Sequence, residues 1–316
     1  MFTEKNNMLM PTPIQEMEPW FDNQIYIKRE DLLPFSFGGN KARKAFYFFQ
    51  DIIENGFNAV ATYGSSSSNH CRIIANLSAR YNMPCYIISP EEDYHETANS
   101  KMVEKFGAYI IKAPVTQIKE TINELMTELS KMYKPYFIQG GGHGNLGTEA
   151  YVDAYNEIVE FEKKQGIKFD YIFHATGTGT TQAGLVCGAI LNGEKNRNII
   201  GISIARFCPR GKEVVEESIR DYLKSVSYKG EFQQIDFDDS YICGGYSKFN
   251  REIVSTINQI MEKEGIPLNT TYTGKAFWGM REYIRKHNIK NKKILFIHTG
   301  GTPLYFDDIG ETLWIF

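Results

Sequence analysis

Short apolar runs bounded by turn residues alternate along this chain with longer amphipathic stretches of helical period. "FNAVATYG" (57–64), "PCYIISP" (84–90), "AYIIKAP" (108–114), "DYIFHATG" (170–177), "NIIGISIA" (198–205) and "KKILFIHTGG" (292–301) predict buried strands. Between them, "SNHCRIIANLSARYN", "ANSKMVEKFG", "VTQIKETINELMTELSKMY", "GTEAYVDAYNEIVEFEKKQG" and "TTQAGLVCGAILNG" predict helices, several closed by the glycine that commonly stops one. The β-then-α alternation predicts an α/β protein with an open, mostly parallel sheet in each of two lobes. Such sheets bind ligands beyond the carboxyl ends of their strands, and three clusters of glycine and hydroxyl residues fall there: "YGSSSSNH", "HATGTGTTQAG" and "IHTGGTP".

A length of 316 residues with 42% hydrophobic content supports the two lobes. A formal charge of −3 and the lack of a long basic tract argue against nucleic acid and favour small molecules as partners. The five cysteines are scattered without a C-x-x-C pair, which disfavours a zinc ribbon or a disulfide framework. No metal site is expected from the spacing of the six histidines, and no G-x-S-x-G elbow occurs. "MFTEKNNMLMPTPIQEM" lacks the apolar core of a secretory signal, and no apolar run approaches the roughly 18 residues of a membrane span. The expected location is the cytoplasm.

Two stretches carry most of the chemistry. In "DYIFHATGTGTTQAGL" a strand runs through Gly177, Thr178, Gly179, Thr180 and Thr181 into a helix, so backbone N–H groups and hydroxyls converge where an isolated phosphate would bind. Gln182 and Leu185 break the dinucleotide and Walker patterns, and a glycine turn with no ligand is the plainer alternative. In "FSFGGNKARK" three cations crowd the first turn of a predicted helix, where the dipole is already positive. Either Lys41 is uncharged, its amine held in a Schiff base with Gly38 and Gly39 admitting a flat ring, or the cluster is a solvated basic patch. Ser68 and Asn69 can cap the next helix, capture a carboxylate, or do both.

Taken in order, "PTPIQ", "IKREDLLPFSFGGNKARK", "SSNHCR", "GGHGNLGTEAYVDAYNEI", "ATGTGTTQAGL", "GGYS", "YTGKAFWGM" and "FIHTGGTP" resemble the fold-type II pyridoxal phosphate enzymes of the D-cysteine desulfhydrase and 1-aminocyclopropane-1-carboxylate (ACC) deaminase family. The resemblance spans nearly the whole chain. It implies a two-lobed fold like that of tryptophan synthase β, with a large lobe of residues 1–45 and 146–316 and a small one of residues 46–145. It also implies a homodimer, with pyridoxal 5'-phosphate held by Lys41 and residues 177–181, Asn69 beside the cofactor, and a small amino acid held by Ser68, Asn69 and His70. Tyr246 and Tyr272 match the family's two active-site tyrosines. Thr273 and Thr299 would face the pyridine nitrogen.

His70 and Thr273 stand where ACC deaminases typically have glutamine and glutamate, and both choices look like D-cysteine desulfhydrase. Hydroxyls near the ring nitrogen would make a weaker electron sink than a carboxylate, enough for a thiolate leaving group. The expected reaction is α,β-elimination of D-cysteine to pyruvate, sulfide and ammonia. ACC deamination, β-replacement, and elimination from another small amino acid are the alternatives, and a binding protein on the same fold is the non-enzyme reading. Ser67, Ile73, Thr270, Thr271 and Ser247 depart from the family pattern on the expected substrate side.

Overall fold

The computed structural model describes residues 10–311 apart from positions 93, 95, 195, 196, 231 and 233. Residues 1–9 of the N-terminal segment and the ends of the expected large lobe lie outside that description.

Two sheets organise the chain. The larger contains β1 (Ile14–Glu16), β2 (Gln24–Arg29), β7 (Tyr171–Thr176), β8 (Asn198–Ser203), β9 (Asp236–Asp238) and β10 (Lys293–His298), in the order β1-β2-β10-β7-β8-β9. Only the β1–β2 pair is antiparallel. The smaller sheet is fully parallel, with β3 (Ala59–Tyr63), β4 (Cys85–Pro90), β5 (Tyr109–Ala113) and β6 (Pro135–Ile138) in the order β5-β4-β3-β6. All six strands predicted from apolar runs are present.

The register of the large sheet aligns Ile27 with Phe296, Phe296 with Phe173, and Phe173 with Ile200. That row faces helices α8 (Arg251–Glu264) and α9 (Thr273–Lys286) through Ile257, Phe277 and Ile284. The alternate row, with Leu295 and Ile172, faces α5 (Asn145–Gln165) and α6 (Thr180–Leu191). A parallel sheet covered on both faces needs apolar residues at every position, which is why these strands read as continuous runs. In the small sheet Val60, Ile87 and Ile138 pack with Phe46, Phe49 and Ile52 of α1 (Asn40–Glu54) and with Ile73, Ile74 and Leu77 of α2 (Asn69–Arg80). A fully buried phenylalanine such as Phe49 contributes about 1.5–3 kcal/mol. The expected single helix over 115–133 is a 3-10 turn at Val115–Gln117 followed by α4 (Ile118–Leu129). α3 (Ala98–Lys105), α7 (Arg210–Ser225) and α10 (Thr302–Glu311) complete the described α-helices, and a 3-10 turn at Glu30–Leu32 follows β2.

Candidate active site

A cavity of about 450 Å³ lies where the carboxyl ends of β3, β7, β8 and β10 meet the start of α1. Its lining includes Lys41, Ser68, Asn69, His70, Gly177, Thr178, Gly179, Thr181, Tyr246, Tyr272 and Thr299. Eleven of the thirteen residues expected at the site therefore come together; Thr180 and Thr273 stand behind the wall. No aspartate or glutamate is among the lining residues.

The end of β7 turns into α6 through Gly179, whose φ of +96° is a glycine conformation. No side chain caps this helix, so its first-turn N–H groups remain available to an anion. The Thr180 hydroxyl is turned inward to accept from Lys44 Nζ at 2.7 Å, and that of Thr181 accepts from Asn40 Nδ2 at 3.1 Å. Lys44 is fully buried, and burial followed by the nearby Lys41 charge pushes its pKa well down.

Lys41 is the second residue of α1, and its Nζ donates to the Gly141 carbonyl at 2.8 Å. Burial depresses its pKa to about 8, against a small opposing influence from Cys71. The neighbouring cation is handled differently: Arg43 keeps its charge by bonding Glu30 through Nε at 2.6 Å and Glu157 through Nη1 at 2.7 Å. Burial alone would raise the pKa of Glu30, but Arg43 and Lys28 outweigh it and hold the carboxyl at about 2.

The glycines before Lys41 serve a purpose other than the expected one. A Cβ on Gly39 would lie 2.8 Å from the Thr299 carbonyl oxygen, and one on Gly300 would lie 2.5 Å from the Gly39 Cα. A Cβ on Gly38 would lie 2.5 Å from the Asp31 carbonyl oxygen. The two glycines thus bring main chain against main chain instead of admitting a flat ring. Asn40 N–H donates to the Thr299 carbonyl at 3.0 Å, which joins α1 to the end of β10.

Ser68 caps α2, accepting from the Cys71 N–H at 3.3 Å. Arg72 and Asn99 donate to Asn69 Oδ1 at 2.7 and 3.1 Å, which leaves the Nδ2 donor as the end of that amide able to serve a ligand. His70 behaves otherwise than expected. Its Nε2 lies 2.8 Å from Thr62 Oγ1, which itself donates to the Ile138 carbonyl, so the imidazole is the donor in their bond. Burial, Lys41 and Lys44 keep the ring neutral, so its single N–H is committed to Thr62 and none remains for a substrate carboxylate. The Thr273 hydroxyl, behind the wall, accepts from the N–H and Nδ2 of Asn269, and its own O–H is not spent in those two bonds.

The hydroxyls of Tyr246 and Tyr272 lie 2.5 Å apart. Burial and then the Tyr246 neighbour raise the pKa of Tyr272 well above the ordinary phenol range, so it stays a proton donor. Behind this pair Lys275 Nζ donates to the carbonyls of Gly245 at 2.8 Å, Ile242 at 3.0 Å and Ile204 at 3.4 Å. Residue-by-residue reading missed Lys275, although it sits in the "YTGK" stretch. It also missed Lys44, the Gly141 carbonyl, His143 and Arg206; the last lies in a segment that carries no motif.

The donor set suits pyridoxal phosphate. An uncapped helix end offers N–H groups to a phosphate, a primary amine of lowered pKa faces the same space, and no carboxylate lines it. Among the described residues no cluster could hold a metal ion, and no helix is long and apolar enough to cross a membrane.

A family model described as pyridoxal-phosphate dependent enzyme matches residues 7–300. A Pyrococcus furiosus protein named as a putative 1-aminocyclopropane-1-carboxylate deaminase is 34% identical over 301 residues, spanning 92% of this chain and 89% of that protein. The D-cysteine desulfhydrase of Serratia proteamaculans is 28% identical over 307 residues, spanning 93% and 92%. A solved ACC deaminase homologue superposes with a TM-score of 0.86 at 30% identity, covering 97% of this chain and 94% of its own. A pyridoxal phosphate-dependent aspartate racemase, at a TM-score of 0.67 and 18% identity, shares the fold. With the lysine, the uncapped helix end and these matches in agreement, the chain belongs to the pyridoxal phosphate-dependent enzymes, within the group of ACC deaminase and D-cysteine desulfhydrase relatives.

Proposed function

We propose that the protein is a lyase that eliminates the β-substituent of a small amino acid, D-cysteine foremost, to give pyruvate, sulfide and ammonia with uptake of one water. The observation that carries this reading is the absence of any carboxylate from the cavity lining. With no carboxylate to hold a proton on its ring nitrogen, the cofactor would be a modest electron sink, which suits a substrate whose leaving group departs readily as thiolate.

Bound pyridoxal phosphate supplies a carbonyl that condenses with the substrate amine and a ring that accepts the electron pair left at Cα. Lys41 would be its covalent anchor, and the first turn of α6 with Gly177, Thr178, Gly179 and Thr181 would hold its phosphate. Thr180 would serve there through its backbone N–H. Ser68 and the Asn69 amide orient the substrate carboxylate. An amine with a pKa near 8 is partly neutral at physiological pH, so Lys41 Nζ is the base for the Cα proton. Tyr272, held protonated and bonded to Tyr246, hands a proton to the departing sulfur. The reading includes a small lobe of residues 46–145 and a large one of residues 1–45 and 146–316 with the cleft between them, in a cytoplasmic homodimer.

Release of 2-oxo acid from D-cysteine, L-cysteine and ACC, with Lys41→Ala as the blank, tests the proposal. Pyruvate from D-cysteine that is absent in the variant supports it; appreciable turnover by Lys41→Ala removes its centre. ACC deamination is the second reading, favoured by the name of the 34% identical relative, and 2-oxobutyrate from ACC alone would establish it. Product formation only when a second nucleophile is added would point to β-replacement.

A further inference from the structure

The proposed function gives two anions places in the cavity: a phosphate at the start of α6 and a substrate carboxylate at the start of α2. One cation remains unassigned. Arg206 lines the cavity just beyond β8, and its Nη1 is buried with no hydrogen-bond partner among the described residues. Glu217, a carboxylate within electrostatic range, gives its Oε1 to Arg210 at 2.8 Å. His143, also in the lining, has a buried Nδ1 with no partner. Arg206 is half-buried, and an Nη1 donor withdrawn from water without a partner is costly even so, which leaves it poised for a ligand.

Its position identifies the ligand's end. Lys275 binds the carbonyl of Ile204, two residues before Arg206, together with those of Ile242 and Gly245 beside Tyr246. Arg206 and the tyrosine pair therefore belong to one wall, the one assigned above to the leaving group. We propose that Arg206 is a specificity-determining residue that selects amino acids carrying a negative charge on the side chain, a thiolate or carboxylate, over neutral ones of the same shape. The positive surroundings agree: burial, then Lys44, Arg206 and Lys41, lower the pKa of His143. This deepens the lyase reading and rests on it for the substrate's orientation.

The test uses the enzyme loaded with pyridoxal phosphate and measures dissociation constants for aspartate and asparagine, near-isosteres that differ in charge, in the D and L series. The wild type should bind aspartate at least about tenfold more tightly than asparagine in one series, the difference one charge-assisted hydrogen bond supplies. Arg206→Gln should erase that preference while leaving alanine binding unchanged, and Arg206→Lys should restore part of it. Equal binding of the two by the wild type, or a preference that survives Arg206→Gln, overturns the proposal even if D-cysteine is turned over. Equilibrium dialysis of pyridoxal phosphate against both proteins adds a second readout: loss of cofactor affinity in Arg206→Gln with unchanged side-chain preference would assign the arginine to the phosphate and also overturn it. An Arg206-dependent preference without D-cysteine turnover would support this inference and sink the D-cysteine reading alone.

Discussion

At Lys41 a charge is discouraged, whereas two residues later it is secured. Burial takes the lysine to about pH 8, and Glu30 with Glu157 retains the charge on Arg43. The lowered pKa has a kinetic consequence, because only the neutral amine attacks a carbonyl. Cofactor capture by the cofactor-free protein should accelerate from pH 7 through pH 8 and level off only above about pH 9, one unit beyond the amine's pKa, as followed by the visible absorbance of the bound cofactor. Tyr272→Phe should lower kcat by about 10²–10⁴-fold, the usual worth of a positioned proton transfer, with a smaller change in KM. Lys41 was legible in the sequence because glycines and cations crowd an expected helix start. The reason for the glycines was not, since Gly39 meets Thr299 and Gly300, some 260 positions away in the chain. Arg206 was opaque for a related reason: an exposed surface arginine and one with a buried, unpartnered Nη1 are spelled alike.

Three elements are tied together by charges that a sequence reader assigns to the surface. Lys28 and Glu30, on and just after β2, Arg43 on α1 and Glu157 on α5 form one ion network; the first three residues are buried. Arg43→Met should cost about 3–5 kcal/mol in denaturant unfolding, because it leaves Glu30 charged and undercompensated. Adding Glu30→Gln to that variant should cost less than the two single changes summed, since the buried charge leaves with its partner. This network also explains why β2 went unseen: "QIYIKR" ends in two cations, although Lys28 is fully buried. β1, β6 and β9, of three or four residues each, are too short to display a period. The strands buried on both faces were plain because burial leaves them no polar positions.

For the whole molecule, buried histidines set the first response to acid. His70 is held well below its ordinary pKa by burial, Lys41 and Lys44; burial brings His174 to about 4. In the unfolded chain these rings gain protons as pH falls through 6.5, but in the folded protein they resist until lower pH. Stability should therefore decline below about pH 6.5, and the decline should steepen below 4.5 as Glu30 protonates in the unfolded chain but not in the fold. Denaturant midpoints measured from pH 7 to 4 check both limbs, and His174→Gln should flatten the first. One contact stands apart from this chemistry. Gly39 and Gly300 cross with main-chain atoms alone, so no side chain is present there to enlarge, shrink or recharge. The distance from the start of α1 to the end of β10 is thus a property of the chain's path. A change of substrate can be engineered only from the remaining walls, with the crossing left as a fixed datum around which they are redrawn.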